Sequence, residues 1–413
     1  MTMRSPYIDH GLLAAIPLLL AGCSPSPPDT GPIPPAAPLE NPAANGALAP
    51  YLASATDGRV VMSWLEPDGE GHALRYAEFG VEGWAEPRTV ASGTNWFVNW
   101  ADFPSVVPLE GELWAAHWLA RRPAGGYAYD VYLSTSGDGG ASWSDGEIAH
   151  TDGTDTEHGF VSLYPDGGGV GFVYLDGRKM ANEYTDDPND TGMTLRSASY
   201  LPGMALADEQ MVDSLTCDCC QTDVALSSEG PVAVYRNRSE AQIRDIYVTR
   251  RVEGRWTEGV PLNDDHWEIP GCPVNGPEIH ARGLDVVVAW FTAANDQPRV
   301  RFARSTDGGR SFSKPLDLAA GELLGHVGMT VDASGTAWVV WQQKAGEGHA
   351  ALVMRTVGAD DTLGAARVFD EAVEVAAFSV PQVATQAGRL LVAWTAGEYG
   401  KTRIGTATIP LAD

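Results

Sequence analysis

Short runs of β-favouring apolar residues that end in an aromatic recur seven times along this chain. They are Val60–Trp64, Leu113–Trp118, Val170–Tyr174, Val232–Tyr235, Val286–Trp290, Ala337–Trp341 and Leu390–Trp394. Subtracting successive aromatic positions (64, 118, 174, 235, 290, 341 and 394) gives steps of 54, 56, 61, 55, 51 and 53 residues. A period of about 40–60 residues with several short strands per unit predicts a propeller.

Each unit reads strand, turn, strand, loop, strand, tight turn, strand. In the fifth, Pro277–His280, Val286–Trp290, Arg299–Arg304 and Phe312–Leu318 are the expected strands, with a turn at Asp307-Gly308-Gly309. Val, Phe, Tyr and Trp suit a pleated, half-buried surface, and the Gly and Asp clusters break it. The fold class is therefore all-β: one propeller of four-stranded antiparallel blades. Seven blades are expected, and six is the alternative if one unit forms no separate sheet. The last unit runs out of chain after three strands. A closed ring leaves no free edge, so its outer strand is expected from the N-terminal side, near Pro38–Ala49.

The N-terminus carries a different pattern. Arg4 precedes an apolar stretch, Leu12–Leu20, too short to span a bilayer, and Leu20-Ala21-Gly22-Cys23 follows. These four residues resemble the bacterial lipobox, which implies a signal peptide over 1–22 and lipidation at Cys23. The resemblance implies a place in the bacterial cell envelope, anchored in the outer membrane and facing the periplasm or the exterior. Ser24–Pro50 holds nine prolines among few apolar residues. Residues 23–48 read as an extended tether and 49–413 as the folded domain. Lys and Arg number 27 against 54 Asp and Glu, a formal charge of −27, which excludes a nucleic-acid partner.

Two turns carry a specific motif. Ser136-Gly137-Asp138-Gly139-Gly140-Ala141-Ser142-Trp143 and Ser305-Thr306-Asp307-Gly308-Gly309-Arg310-Ser311-Phe312 both read Ser-x-Asp-x-Gly-x-x-aromatic. Asp138 and Asp307 are expected to bond turn amides, and Trp143 and Phe312 to pack between sheets. The motif resembles the Asp box (BNR repeat) of sialidases. Together with Asn99–Pro104, Cys217–Thr222 and Cys272–Pro277, it makes the chain similar to exported bacterial sialidase-like propellers. What the resemblance implies is a ligand at the mouth of the central channel.

Counting back 16 residues from each aromatic samples one ring of positions at that mouth: Leu48, Asp102, His158, Cys219, Val274, Gly325 and Phe378. Cys217, Cys219, Cys220 and Cys272 thus reach one rim, with His158 and His326 beside them. Two chemistries compete. An exported protein with four such cysteines is expected to form disulfides, Cys272 bonding one of the other three. Alternatively thiolate and imidazole hold copper or zinc, with Cys217, Cys219, Cys220, Cys272, His158 and His326 as ligands.

A second rim set follows the second strands: Asp176, Arg178, Arg236 and Arg238. Sialidases hold the substrate carboxylate with three arginines, and guanidinium forks match carboxylates bidentately. Arg178, Arg236 and Arg238 are candidates for that role, with Asp176 and His158 lining the same ligand site. Surface ion pairing is the competing explanation. For hydrolysis, Asp102 is the candidate acid and Tyr129 the candidate nucleophile. The Arg-Ile-Pro motif of sialidases is absent, so no catalytic residue transfers position by position.

Three functions follow. The leading one is a lipid-anchored, sialidase-like propeller that binds a glycan or small anionic ligand at the mouth and, if an enzyme, is a glycoside hydrolase of exo-α-sialidase type. The others are a copper- or zinc-binding propeller and a non-catalytic scaffold that docks a partner protein.

Overall fold

The structure is a computed structural model describing residues 33–55, 57–182, 192–201, 206–345, 349–369 and 374–411. Cys23 and the signal segment lie outside the described residues. Ile33–Asp413 form one compact unit, so residues 33–48 of the proline-rich stretch belong to it.

Seven antiparallel sheets of four or five strands make a seven-bladed propeller. The innermost strands of blades 1 to 7 are Leu48–Ser54, Ser105–Pro108, His158–Asp166, Asp223–Ser227, Glu278–Arg282, Leu323–Val331 and Gln382–Gln386. Blade 5 continues through Asp285–Thr292, Arg299–Ser305 and Leu316–Ala320, close to the strands its sequence predicts. The ring closes because the inner strand of blade 7 packs on that of blade 1. Blade 7 takes its outer strand from the N-terminus, as edge satisfaction requires. Ala37 and Pro38 pair with Thr408 and Ala407, and Leu39 N–H donates to Thr406 O. Proline is tolerated there because an outermost strand has one unpaired side.

The repeated aromatic has one packing role throughout. Trp64, Trp118, Tyr174, Tyr235, Trp290, Trp341 and Trp394 are all 7% exposed or less. Each lies in a different apolar cluster, and each cluster joins one blade to the preceding blade. Alternation along a strand sends neighbouring residues to opposite faces. Val61 and Leu65 accordingly face blade 2 while Trp64 faces blade 7. Both faces of an interior blade are covered, which is why the second strands read as unbroken apolar runs.

The two Ser-x-Asp turns form as expected. Asp307 accepts from Arg310 N–H (3.0 Å) and Ser311 N–H (2.9 Å), and Gly309 N–H donates to Ser305 Oγ at 2.9 Å. Asp138 accepts from Ser142 N–H at 2.8 Å. The Ser142 hydroxyl (2.6 Å), the Ser142 N–H and the Ser136 hydroxyl, all donating to it, hold the Asp138 carboxyl down at about 2. Trp143 packs edge-on against Tyr76 of blade 1, and Phe312 packs into the blade 4–5 seam.

Candidate functional site

The ring of equivalent positions converges at one mouth. Trp100, on the segment entering blade 2, reaches across to His326 of blade 6 (ring centroids 5.4 Å apart) and Phe378 of blade 7 (6.5 Å). Gln221 of blade 4 donates to Ala101 O at 2.6 Å and accepts from Gly276 N–H of blade 5 at 3.0 Å. Residues 99–103 therefore form a plug across the axis. Beneath it lies a cavity of about 550 Å³ bordered by Tyr51, Asp102, Ser162, Asp223, Glu278 and Gln382.

Three blades enter this mouth through a bulged inner strand that holds a non-glycine residue at positive φ. They are Ala49 (φ 53°), Phe160 (φ 52°) and His326 (φ 49°). The amide of each is captured by a side chain of the preceding blade. Thr395 Oγ1 accepts from Ala49 (3.1 Å), Asp102 Oδ1 from Phe160 (2.7 Å) and Asn275 Oδ1 from His326 (2.6 Å). Such conformations cost about 1–3 kcal/mol each and persist only where surroundings enforce them. Asp102 is therefore one of three inter-blade clasps. The sequence held a signal for this: Gly159 and Gly325 precede the kinked residues, and a Cβ on Gly159 would come 1.8 Å from Asp102 Oδ2.

Asp102 also meets Tyr129. The Tyr129 hydroxyl lies 2.7 Å from Asp102 Oδ2 and 2.8 Å from Glu157 Oε1, a residue the sequence did not single out. A phenol has one proton to donate, so at least one carboxyl must itself carry a proton. Burial pushes Asp102 up to about 7, although bonds from Tyr129 and Phe160 oppose it. Burial pushes Glu157 to about 8, helped by the nearby charges of Asp102, Asp218 and Cys272. Tyr129 rises well above its ordinary value, first through burial and then through both carboxyls. The trio stores a proton near neutrality. Tyr129 and Asp102 are fully covered (0% and 1% exposed), and Tyr129 stacks on Phe97, so neither reaches a ligand in this arrangement. That weakens the expected acid and nucleophile roles for a steric reason.

His158 and Asp176 lie in a buried wedge between blades 2 and 3 that adjoins the trio, His158 Nδ1 being 3.2 Å from Tyr129 O. The rings of His150 and His158 stack at 3.8 Å and 8°. Asp152 bridges them, 2.7 Å from His150 Nδ1 and 3.2 Å from His158 Nε2. Burial opposes protonation of His150, but Asp130 and Asp152 outweigh it and raise its pKa. The parallel rings disfavour both histidines binding one ion. Two groups in the wedge, Asp130 with His150 and His158, and Asp152 with His158 and Asp176, each lie within 4.8 Å of one another and are engaged in charge pairing here. His326 packs on Trp100 with Nδ1 3.0 Å from Gln342 Oε1. Neither histidine joins the cysteines in a ligand-distance group.

The three arginines do not form a carboxylate clamp. Arg178 Nη2 is 2.6 Å from Asp176 and 2.8 Å from Glu209, inside the wedge. Arg238 pairs with Asp218 at 2.9 Å. Arg236, 2% exposed, donates to Asn275 O (3.0 and 2.8 Å), Arg244 O (2.7 Å) and Phe291 O (2.9 Å). Arg178 and Arg238 are thus paired with carboxylates, and Arg236 spends its donors on carbonyls with no carboxylate in contact, so all three are engaged within the protein.

The cysteines do converge. Cys217 Sγ lies 3.5 Å from Cys220 Sγ and 4.0 Å from Cys219 Sγ, all four thiols are free, and Cys272 sits exposed beside Cys219. Contacts with Cys219 and Cys220, opposed by burial, lower the Cys217 thiol, and Arg236 and Arg244 add to this. Around the same rim stand two exposed tyrosines on the loops after the second strands, Tyr127 (67%) and Tyr399 (77%), which pack edge-on to Phe97 and Phe378.

No protein-family model matches the chain, and no curated protein matches it. Solved structures match by fold. An ulvan lyase of polysaccharide lyase family PL25, bound to a GlcA–Rha3S unit, superimposes with TM-score 0.55 at 11% identity over 91% of this chain and 96% of its own. A puromycin-hydrolysing peptidase of Mycobacterium tuberculosis gives 0.51 at 11% identity over 90% and 56%. The Trypanosoma rangeli sialidase gives 0.47 at 11% identity over 80% and 56%. The chain thus spans about half the length of the latter two. At these identities the likeness is one of fold.

Proposed function

We propose that this propeller binds a glycan at the plugged mouth and does not hydrolyse it. The observation that carries the reading is the rim itself, where exposed Tyr127 and Tyr399 flank a group of carboxyls and an axial tryptophan. Aromatic faces cover the C–H side of a sugar ring, and a few convergent polar groups fix its hydroxyls. The half-buried Glu157 is the carboxyl best placed to meet a hydroxyl, since Asp102 and Tyr129 are covered. The GlcA–Rha3S unit bound to the ulvan lyase supports a glycan as the ligand class on this fold, although that unit is anionic. With Arg178 and Arg238 held by carboxylates and Arg236 buried against carbonyls, none is presented to a ligand carboxylate, and a neutral glycan is preferred over a sialylated one. Anchoring through a lipid on Cys23 in the cell envelope belongs to the same proposal, and fatty-acid labelling that Cys23→Ser abolishes would support it.

A glycan panel with the purified protein tests the binding. Micromolar to millimolar binding to a neutral glycan is expected, falling at least tenfold in Tyr399→Ala and in Glu157→Gln. No turnover of a fluorogenic sialoside is expected. Absence of binding across the panel, or binding indifferent to both substitutions, would remove the proposal.

A further inference from the structure

We infer that Cys217, Cys219 and Cys220 form a thiolate site for one d¹⁰ cation, Cu(I) held by these three or Zn(II) with Cys272 as the fourth, solvent-side ligand. A disulfide needs sulfurs about 2.05 Å apart. Around one ion with metal–sulfur bonds of about 2.3 Å, sulfurs stand ~3.8 Å apart in a tetrahedron and ~4.0 Å in a trigonal plane. The separations of 3.5 and 4.0 Å are of that size, and all three sulfurs lie within 4.8 Å of one another.

The second observation is a charge imbalance. Arg236 and Arg244 are 2% and 4% exposed. Among the described residues neither lies within 4.0 Å of a carboxylate oxygen. Arg236 bonds only carbonyls, and Arg244 donates to Cys217 Sγ (3.2 Å) and Gln242 Oε1 (3.1 Å). Uncompensated buried charges are costly. Two disulfides would be neutral and would leave the two guanidinium charges only the through-space attraction of Asp218 and Asp245, with no anion in contact. Three thiolates on Cu(I), or four on Zn(II), carry two net negative charges and match them.

The surroundings are also built to hold sulfur in place. Asn275 N–H donates to Cys220 Sγ at 3.4 Å, and the Asn275 amide is pinned to Pro273 O (3.0 Å) and Leu324 O (3.2 Å). Cys217 N–H donates to Arg236 O at 3.0 Å. Hydrogen bonds to ligating sulfur and to the segments bearing it are what orient a metal's ligands. Cys217 and Cys220 are closed to solvent (0% and 1%), while Cys272 is exposed and offers the way in.

The test uses the full chain purified in detergent under nitrogen, reduced, and titrated with Cu(I) against bicinchoninate and with Zn(II) against a pyridylazo dye. One equivalent is expected, with thiolate charge-transfer absorption for Cu(I). Cys219→Ser, at a half-buried position, should lower affinity at least a hundredfold while circular dichroism stays unchanged. Arg244→Met should weaken binding about tenfold with stoichiometry kept. Cys272→Ser separates the ions: it spares a three-thiolate Cu(I) site and weakens a four-thiolate Zn(II) site. Reduced, folded protein that takes up neither ion would overturn the inference. So would uptake unchanged by Cys219→Ser. Glycan binding is read separately, so either proposal can fail alone.

Discussion

Replacing Asp102 by Asn tests whether the mouth stores a proton. In the folded protein the Asp102 carboxyl titrates near 7, against 3.8 when free. A carboxyl whose folded pKa is raised binds more protons folded than unfolded, so its contribution to stability declines as pH climbs from the free to the folded value. At about 1.4 kcal/mol per pH unit, moving from 3.8 to about 7 costs on the order of 4 kcal/mol. Asn fits the same place: its oxygen accepts from Phe160 N–H, its NH₂ donates to the Tyr129 oxygen, and Tyr129 donates to Glu157. Asp102→Asn should therefore gain on the wild type by about 3 kcal/mol between pH 5 and pH 8, the rest of the loss falling below pH 5. For a chain of this size each kcal/mol moves the melting midpoint by roughly 1 °C, so the gap should widen by about 3–4 °C across that range. His150, also raised, tilts the two proteins alike and cancels in the comparison, whereas Glu157 loses the upward push of the Asp102 charge and adds to the gain of Asp102→Asn at high pH. Differential scanning fluorimetry across that pH range gives the answer. Parallel curves for the two proteins would refute the stored proton and leave Asp102 as a clasp alone.

Arg236→Ala should destabilise by about 3 kcal/mol or more in urea unfolding, because it orphans buried carbonyls of blades 4 and 5; a wild-type midpoint with lost glycan affinity would return Arg236 to the ligand. Gly309→Ala forces Cβ into the left-handed region (φ 83°) and within 3.1 Å of Val232 Cγ1 on blade 4. It should cost about 1–2 kcal/mol for the backbone plus the crowding, and Gly58→Ala (φ 84°, open space) should show the backbone cost alone. Removing residues 1–42 strips the outer strand of blade 7, so proteolysis should open Lys401–Pro410 and the midpoint should fall. Unchanged protection there would mean the strand does not close the ring.

The periodic aromatics determined the architecture unaided, because burying one large ring per blade seam is a local requirement that repeats at the blade period. The same holds for the missing outer strand, which follows from counting strands in a ring that tolerates no free edge, and for the gathering of Cys217, Cys219, Cys220 and Cys272 at one rim. Glu157 escaped notice because nothing local marks a carboxyl whose importance is a 2.8 Å contact with a tyrosine one blade away. The arginines misled for a related reason. Spacing places Arg178, Arg236 and Arg238 at one end of the propeller, but whether a guanidinium faces a ligand or its own protein depends on which acceptors arrive from neighbouring blades. Repetition fixes where the backbone goes; the pairing of polar groups across seams is long-range, and only the closed ring decides it.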